Sequence, residues 1–152
     1  MIKVELLKKA STPDLKDVNT LIPQLTLSPQ SPPLLSPKTF RQLLDQSHSS
    51  CVVVRARIGL RRGIIALGTI HFSRLPSGLV AETGDLVVDK DYRNLGLGRA
   101  VLEKLIEVAE KRGARHVSLR VNPKRKEAIK MYLALGFAKH PAAFYRINFP
   151  RK

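Results

Sequence analysis

The chain has 152 residues, the size of one domain that buries a hydrophobic core, so we expect a single domain over residues 1–152. Its single cysteine, Cys51, excludes an internal disulfide framework and is expected to be a small buried hydrophobe. No apolar run is long enough to cross a bilayer, and the first residues lack the layout of a signal peptide. These features predict a cytoplasmic protein without a membrane partner.

The net charge of +15 is large and uneven. Residues 1–88 carry 11 basic and 6 acidic side chains, a net of +5, whereas residues 89–152 carry 16 and 6, a net of +10. Such a field favours polyanions, which include a phosphate-bearing cofactor, a nucleic acid or an acidic acceptor. A surface that is merely soluble has the same charge, so this property alone does not choose between them.

The first half of the chain predicts strands and helices with one irregular stretch between them. Apolar alternation predicts a strand over residues 2–10, and the Ser-Thr-Pro-Asp sequence from Ser11 predicts the start of a helix within residues 11–25. The remaining elements predicted here are a Pro- and Ser-rich loop over 26–39, a short helix over 37–46, a hairpin of strands 50–58 and 63–72, and a strand over 78–88 interrupted by Gly84.

The second half has the clearer pattern. Apolar residues recur at helical spacing from Val101 to Ala109, and Gly113 is the predicted stop of that helix. The elements predicted after it are a strand over 116–121, a helix over 122–136 that is capped by Asn122, opened by Pro123 and ended by Gly136, and a last strand over 144–149. The hairpin beside alternating strands and helices predicts an α/β domain with a mixed sheet.

Two glycines, Gly96 and Gly98, lie where the strand ending at Val88 gives way to a helix, with Arg93 before them and Arg99 after them. A helix begins with N–H groups that lack partners, and its dipole adds positive charge there. Glycines let a ligand approach the backbone closely, so the joint predicts an anion site suited to phosphates. The alternative is a glycine-containing connection that holds no ligand.

Two missing sequence features narrow the class of phosphate-bearing ligand that this loop suits. Val101 stands where a dinucleotide fingerprint has its third glycine, and no Gly-Lys-Ser/Thr of a Walker loop follows. An enzyme that uses another phosphate-bearing cofactor stays open as one alternative. A basic nucleic-acid-binding protein without enzymatic activity is another, although the chain has no aromatic-basic stacking motif.

Two motifs together resemble the GCN5-related N-acetyltransferase (GNAT) superfamily. Residues 93–98, Arg-Asn-Leu-Gly-Leu-Gly, resemble its Arg/Gln-x-x-Gly-x-Gly/Ala signature, and residues 132–137, Tyr-Leu-Ala-Leu-Gly-Phe, resemble its Tyr-x-x-x-Gly-Phe signature. Both occur in the family's order and spacing, and the resemblance is strong over residues 79–137. It implies a mixed α/β fold with a central, mostly antiparallel sheet of six to seven strands flanked by about four helices.

The resemblance also implies a reaction, which is transfer of an acetyl group from acetyl-CoA to a primary amine by direct attack. In the family the loop amides bind the CoA pyrophosphate and the preceding strand holds the pantetheine arm, where a backbone N–H, here that of Val88, would polarise the acetyl carbonyl. The family's asparagine seven residues before the tyrosine is replaced by Arg125. The residues that this assigns to CoA are Leu86, Val87, Val88, Arg93, Asn94, Leu95, Gly96, Leu97, Gly98, Arg99, Asn122 and Arg125.

Catalytic roles follow from the same resemblance. Tyr132 is expected to protonate the departing thiolate, with core packing as the alternative. Glu82 occupies the place of the catalytic glutamate of histone-acetylating members, and a carboxylate in apolar surroundings suits a general base; a water chain is the competitor. The four histidines show no metal spacing, and His71 is a candidate for the acceptor pocket. The acceptor stays open between a small molecule and a protein N-terminus or lysine, as does a homodimer.

Overall fold

The computed structural model describes residues 2–25, 32–45 and 47–150, so residues 26–31 of the expected Pro- and Ser-rich loop lie outside it. The chain forms two compact units, the first ending at Arg120 and the second beginning at Val121. The first unit contains β1 (Lys3–Leu6), α1 (Thr12–Leu21), α2 (Pro37–Leu43), β2 (Ser49–Ile58), β3 (Arg61–Leu75), β4 (Gly78–Val88), α3 (Leu97–Lys111) and β5 (Val117–Ser118), with short 3₁₀ turns at Ile22–Leu25 and Lys90–Tyr92. The second unit contains α4 (Lys126–Ala134).

The strands of the described residues form one sheet in the order β1-β2-β3-β4-β5, antiparallel throughout except for the parallel pair β4–β5. The predicted mixed, mostly antiparallel sheet with flanking helices is therefore confirmed. The predicted six to seven strands are wrong, because the described sheet has five. Residues 144–149 are neither helix nor strand, and their apolar side chains are exposed, so the alternating pattern there has no face to bury.

A break in register shapes the end of β4. Gly68 pairs with Leu86 and Ile70 pairs with Thr83, so two residues of β4, Gly84 and Asp85, stand against one residue of β3. This bulge reverses the side-chain alternation along the strand. The predicted interruption at Gly84 is therefore a bulge within one continuous strand.

Apolar layers cover both faces of the sheet. Helix α3 buries Val101 and Leu105 against one face, while α1 and α2 cover the other face with Val18 and Phe40. Cys51 is fully buried in the second layer, and burial raises the pKa of its thiol to about 12. The expected role of Cys51 as a small hydrophobe is confirmed, since a thiol so rarely ionised is a poor nucleophile.

Helix ends match the sequence signals except at the start of α4. Ser11 caps α1, and Gly113 and Gly136 follow α3 and α4 in left-handed conformations, with φ of +81° and +96°. The predicted cap by Asn122 is wrong, because α4 begins at Lys126 after Arg125. The Asn122 Oδ1 instead accepts a hydrogen bond from the Lys124 N–H at 3.0 Å, which closes a turn ahead of the helix.

Candidate functional site

The outer edge of β4 is open beyond its first half. β5 pairs only with Ala81 and Glu82, so no strand of the described residues pairs with this edge from residue 83 to Val88. The Asp89 N–H donates to the Ile65 carbonyl of β3 at 2.8 Å. Because successive amides of a strand alternate in direction, the N–H groups of Val88 and Leu86 point towards the open edge. Two backbone donors are thus directed at a place where an extended ligand would lie.

The loop after β4 is held in one shape by its own polar groups. The Arg93 Nε donates to the Val88 carbonyl at 3.1 Å, and the Asp89 side chain accepts from the Asp91 N–H at 2.9 Å. Asn94 adopts a left-handed conformation with φ of +62°, which asparagine tolerates better than most residues. The chain is therefore turned sharply between the strand end and α3.

Helix α3 starts without any acceptor of its own. Its N-cap is Gly96, no side chain caps it, and its first turn has no acidic residue. The first intrahelical bond runs from the Ala100 N–H to the Gly96 carbonyl at 3.1 Å, so the N–H groups of Leu97, Gly98 and Arg99 lack an intrahelical acceptor. Three such donors at the positive end of a helix are suited to an anion.

The two glycines of the loop have different physical reasons. Gly96 has φ of +77°, a conformation that favours glycine whatever surrounds it. Gly98 has no such conformation, and a Cβ there would touch only the Val88 side chain, at an ordinary 3.7 Å. An alanine would stabilise a helix by about 1 kcal/mol at such a position, so the fold does not require Gly98. Its lack of a side chain leaves the backbone of the helix start uncovered.

The side chains next to the start of α3 do not cover its free N–H groups. The Arg99 Nε donates to Glu103 at 3.0 Å, one turn along α3, and Arg93, Asn94 and Leu95 are exposed. Leu97, the first residue of α3, has its side chain buried in the core, so only its backbone faces the helix start. Of the three strand residues predicted to hold the ligand, Val87 is buried, whereas Leu86 and Val88 are half-buried.

Glu82 lies on β4 opposite His71 and accepts a hydrogen bond from Arg120. Its side chain is 40% exposed, so its surroundings are charged and wet rather than apolar as the sequence suggested. The position of a Cβ at Gly84 is only 2.8 Å from His71 Nε2 and 2.5 Å from Thr69 Oγ1, so Gly84 leaves room for both side chains. Sequence reasoning missed Arg120, because only the pairing of β5 with β4 brings it to Glu82.

The second unit carries the other predicted residues. The Tyr132 ring is half-buried and meets Phe137 edge-on, with 6.1 Å between ring centroids. The Gly136 N–H donates to the Leu133 carbonyl at 3.1 Å and the Phe137 N–H to the Tyr132 carbonyl at 3.0 Å. This is a Schellman motif with its usual apolar contact, so the Tyr-x-x-x-Gly-Phe sequence also ends the helix. None of the residues of α4 is fully buried, which weakens core packing as the reason for Tyr132.

Asn122 and Arg125 are both exposed, the first in the turn ahead of α4 and the second at its N-cap.

Within the described residues no group of three or more His, Cys, Asp or Glu side chains is placed to hold a metal ion. The helices of those residues include none with the length and apolar character needed to span a membrane.

Comparison with known proteins gives a family for this arrangement. Residues 21–137 match the model of the acetyltransferase (GNAT) family. The chain is 41% identical over 98 residues to an uncharacterized N-acetyltransferase of Methanocaldococcus jannaschii, which is 64% of this chain and 43% of that protein. It is 47% identical over 53 residues to the [ribosomal protein bS18]-alanine N-acetyltransferase of Escherichia coli, which is 35% of this chain and 36% of that protein. The matches thus span less than half the length of either relative.

Solved structures of low identity share the fold. An acetyltransferase of Trypanosoma brucei superposes with a TM-score of 0.77 at 24% identity, over 98% of this chain and 100% of that one. An aminoglycoside acetyltransferase from an uncultured soil metagenomic sample superposes with a TM-score of 0.81 at 16% identity, over 98% and 97%. Identities this low establish the architecture and leave the substrates unassigned.

Proposed function

We propose, from the premise that this chain belongs to the acetyltransferase (GNAT) family, that it transfers an acetyl group from acetyl-CoA to a primary amine by direct attack. The observation that carries the proposal is the start of α3, where the amides of Leu97, Gly98 and Arg99 lack an intrahelical acceptor and Gly98 keeps the space above them open. That combination supports a site for the CoA pyrophosphate.

The proposed path of CoA follows the open edge of β4. The pyrophosphate would accept from the backbone of the loop over residues 93–99, and Arg93 and Arg99 would add positive charge beside it. The pantetheine arm would lie along residues 86–88 and pair with the amides that point to this edge. Asn122 and Arg125 of the second unit are proposed as further CoA contacts on the family resemblance.

The chemistry proposed for the thioester uses a backbone donor and a phenol. The family resemblance implies that the amide of Val88 polarises the acetyl carbonyl. Leu86 has an amide of the same orientation, farther along β4 from the proposed phosphate site. We assign the carbonyl to Leu86 and the arm to Val88, because the acetyl group is the end of CoA farther from the pyrophosphate. Tyr132 would protonate the departing thiolate, and Glu82 would supply the carboxylate that helps remove the amine proton.

For the acceptor we propose the α-amine of a protein N-terminus, since one relative acts on an alanine of a ribosomal protein. An α-amine titrates near pH 8, whereas a lysine side chain titrates above pH 10. At neutral pH a much larger fraction of α-amines is already uncharged. An acceptor of this kind therefore depends less on a general base than a lysine side chain does.

The test is an acetylation assay that follows free thiol release from acetyl-CoA. Peptides that begin with alanine are compared with the same peptides blocked at the α-amine but carrying a free lysine. We expect the first set to react and the second to react at least tenfold more slowly. Equal rates would refute the α-amine proposal, and an absence of acetyl-CoA binding by calorimetry would refute the function itself.

Tyr132→Phe separates chemistry from binding in the same assay. The ring and its contact with Phe137 remain, whereas the acidic proton is removed. We expect kcat to fall about 100-fold with little change in the affinity for acetyl-CoA. Phe137→Leu is the matched control, because it alters the ring contact and leaves the phenol. An unchanged kcat in Tyr132→Phe would remove the acid role.

A further inference from the structure

His71 is placed beside the bulge of β4 by both of its neighbouring strands. It is opposite Glu82 of β4 and opposite Ser49 of β2, and it is exposed to solvent. Its Nε2 is 2.8 Å from where the Cβ of residue 84 would stand if that residue were not glycine. The imidazole therefore occupies space above β4 that the missing side chain leaves open.

This position lies next to the reacting end of the proposed site. The bulge at Gly84 and Asp85 separates Glu82 from Leu86, whose amide points to the open edge. Leu86 pairs with Gly68, which is three residues before His71 on β3. A thioester carbonyl bound by the Leu86 amide would therefore lie near His71 and Glu82. Directly opposed residues of antiparallel strands have Cβ atoms about 4.5–5.5 Å apart, which lets the two side chains act together.

We propose that His71 is a catalytic residue that accepts a proton from the ammonium group of the acceptor, with Glu82 stabilising the imidazolium that results. This inference rests on the proposed acetyl transfer. Imidazole suits the step because histidine ordinarily titrates near pH 6.5, close to the pH at which a general base works best. Glu82 alone is less suited to accept the proton, because its carboxylate is already hydrogen-bonded to Arg120.

The step balances in protons and bonds. The ammonium group gives one proton to His71 Nε2, and the exposed imidazolium passes it to water. The lone pair of the free amine forms the C–N bond to the thioester carbonyl, and the C–S bond then breaks. The thiolate takes a proton from Tyr132, whose phenol is restored by the second proton that leaves the nitrogen. The products are the amide, CoA with a free thiol, and one proton in solution.

The charged groups near His71 on each packed element are few among the described residues. β4 contributes Glu82, which Arg120 binds, and the exposed Asp85 of the bulge. β2 contributes the uncharged Ser49, and the exposed His48 precedes it, with its carbonyl accepting from the Phe72 N–H at 2.8 Å. Helix α3 packs on the other face, where its Arg112 lies 4.2 Å over the Phe72 ring. The carboxylates of α1, Asp14 and Asp17, are bound by Arg55 and Arg61 near the opposite end of β3.

The experiment measures kcat and kcat/KM between pH 5.5 and 9 for the wild type, His71→Gln and His71→Ala, with an alanine-initiated peptide and acetyl-CoA. We expect about a 100-fold loss of kcat in both variants, with acetyl-CoA affinity by calorimetry within twofold of wild type. The pH profile of kcat/KM should differ between the wild type and both variants, because the proton acceptor has been removed. Free imidazole should restore activity to His71→Ala at least tenfold, which a packing role would not allow.

The matched control is His48→Gln, a second exposed histidine in the turn ahead of β2 that has no place in the proposed site. It should retain wild-type rates and the wild-type pH profile. A His71→Gln enzyme with wild-type kcat, or a loss in His71→Ala that imidazole does not rescue, overturns the assignment of His71 while the wild-type rate still supports acetyl transfer. A wild type that binds acetyl-CoA and acetylates no amine overturns the proposed function, and this inference with it.

Discussion

Helices α1 and α3 begin in opposite ways. α1 starts after Ser11, whose hydroxyl accepts from the Asp14 N–H at 3.2 Å, and the Asp14 carboxylate in the first turn is held by Arg55 at 2.7 and 2.9 Å. α3 starts after Gly96, with no capping side chain and no acidic residue in its first turn. The protein's own side chains supply polar partners at the start of α1, whereas no side chain caps the start of α3.

The contrast extends to the surrounding charges. Beside α1 each carboxylate has its cation, and Asp17 binds both Arg61 and the Ile64 N–H of β3. Beside α3 two arginines flank bare backbone donors, a combination that the helix dipole disfavours unless an anion is present. The uncapped start of α3 therefore favours a role in ligand binding over a role in stability.

The largest effect should come from giving α3 the carboxylate that α1 already has. Gly98→Asp places a negative charge among the donors of Leu97 and Arg99, so acetyl-CoA affinity should fall at least ~100-fold, equivalent to ~2.7 kcal/mol. The helix itself should gain up to about 1 kcal/mol of stability from propensity and the dipole. Calorimetry measures the first change and urea unfolding the second.

Gly98→Asn separates charge from size, since it has the same shape without the charge. It should weaken acetyl-CoA binding less than Gly98→Asp does. Wild-type affinity in a folded Gly98→Asp protein would mean that the start of α3 does not bind the cofactor.

The opposite change removes the carboxylate of α1. Breaking one partner of a buried ion pair costs about 3–5 kcal/mol, and the partial exposure of Arg55 and Asp14 reduces the expected loss in Asp14→Asn to about 2 kcal/mol. Acetyl-CoA affinity should not change. Urea unfolding gives the loss, and Glu107→Gln, which breaks exposed pairs on α3, is the control that should unfold like the wild type. Equal stabilities of the two variants would show that the α1 pair contributes no more than a surface pair.

Removing only the cap of α1 should have a smaller effect. Ser11→Ala deletes the acceptor for the Asp14 N–H and should lower the free energy of unfolding by ~1 kcal/mol, whereas Ser11→Gly should cost only a few tenths. Chemical denaturation resolves the two variants. If Ser11→Ala were as stable as the wild type, the clamp by Arg55 alone would define this helix start.

Local signals in the sequence predicted local structure well. Ser11 as a cap, Gly113 and Gly136 as helix stops, and Gly96 and Gly98 at the joint of β4 and α3 each depend on a few neighbouring residues. The two family signatures in residues 93–98 and 132–137 together predicted the acetyltransferase family, which the match over residues 21–137 confirms.

Predictions that depended on distant partners were less successful. Residues 144–149 alternate like a strand, but a strand needs a neighbour, and no strand forms there. The sequence predicted apolar surroundings for Glu82. It did not reveal Arg120, which is 38 positions away and reaches Glu82 only because β5 pairs with β4. The Asn122 side chain accepts from the Lys124 N–H in the turn ahead of α4 and therefore does not cap that helix. The roles of Tyr132 and Glu82 stay predictions, since they depend on a bound substrate.

The smallest expected effect is a pH dependence that the start of α1 has and the start of α3, which has no acidic residue in its first turn, lacks. Hydrogen bonds from Arg55 hold the pKa of Asp14 below its ordinary value, and those from Lys3 and Arg55 do the same for the pKa of Glu5. A carboxylate with a lowered folded-state pKa adds stability that is fully present above about pH 4 and is lost as the pH falls through the folded-state value. The stability difference between wild type and Asp14→Asn should therefore be constant from pH 5 to 7 and shrink below about pH 4. Thermal unfolding across this range measures it, and a difference as large at pH 2.5 as at pH 7 would show that Asp14 stabilises α1 by a means other than its charge.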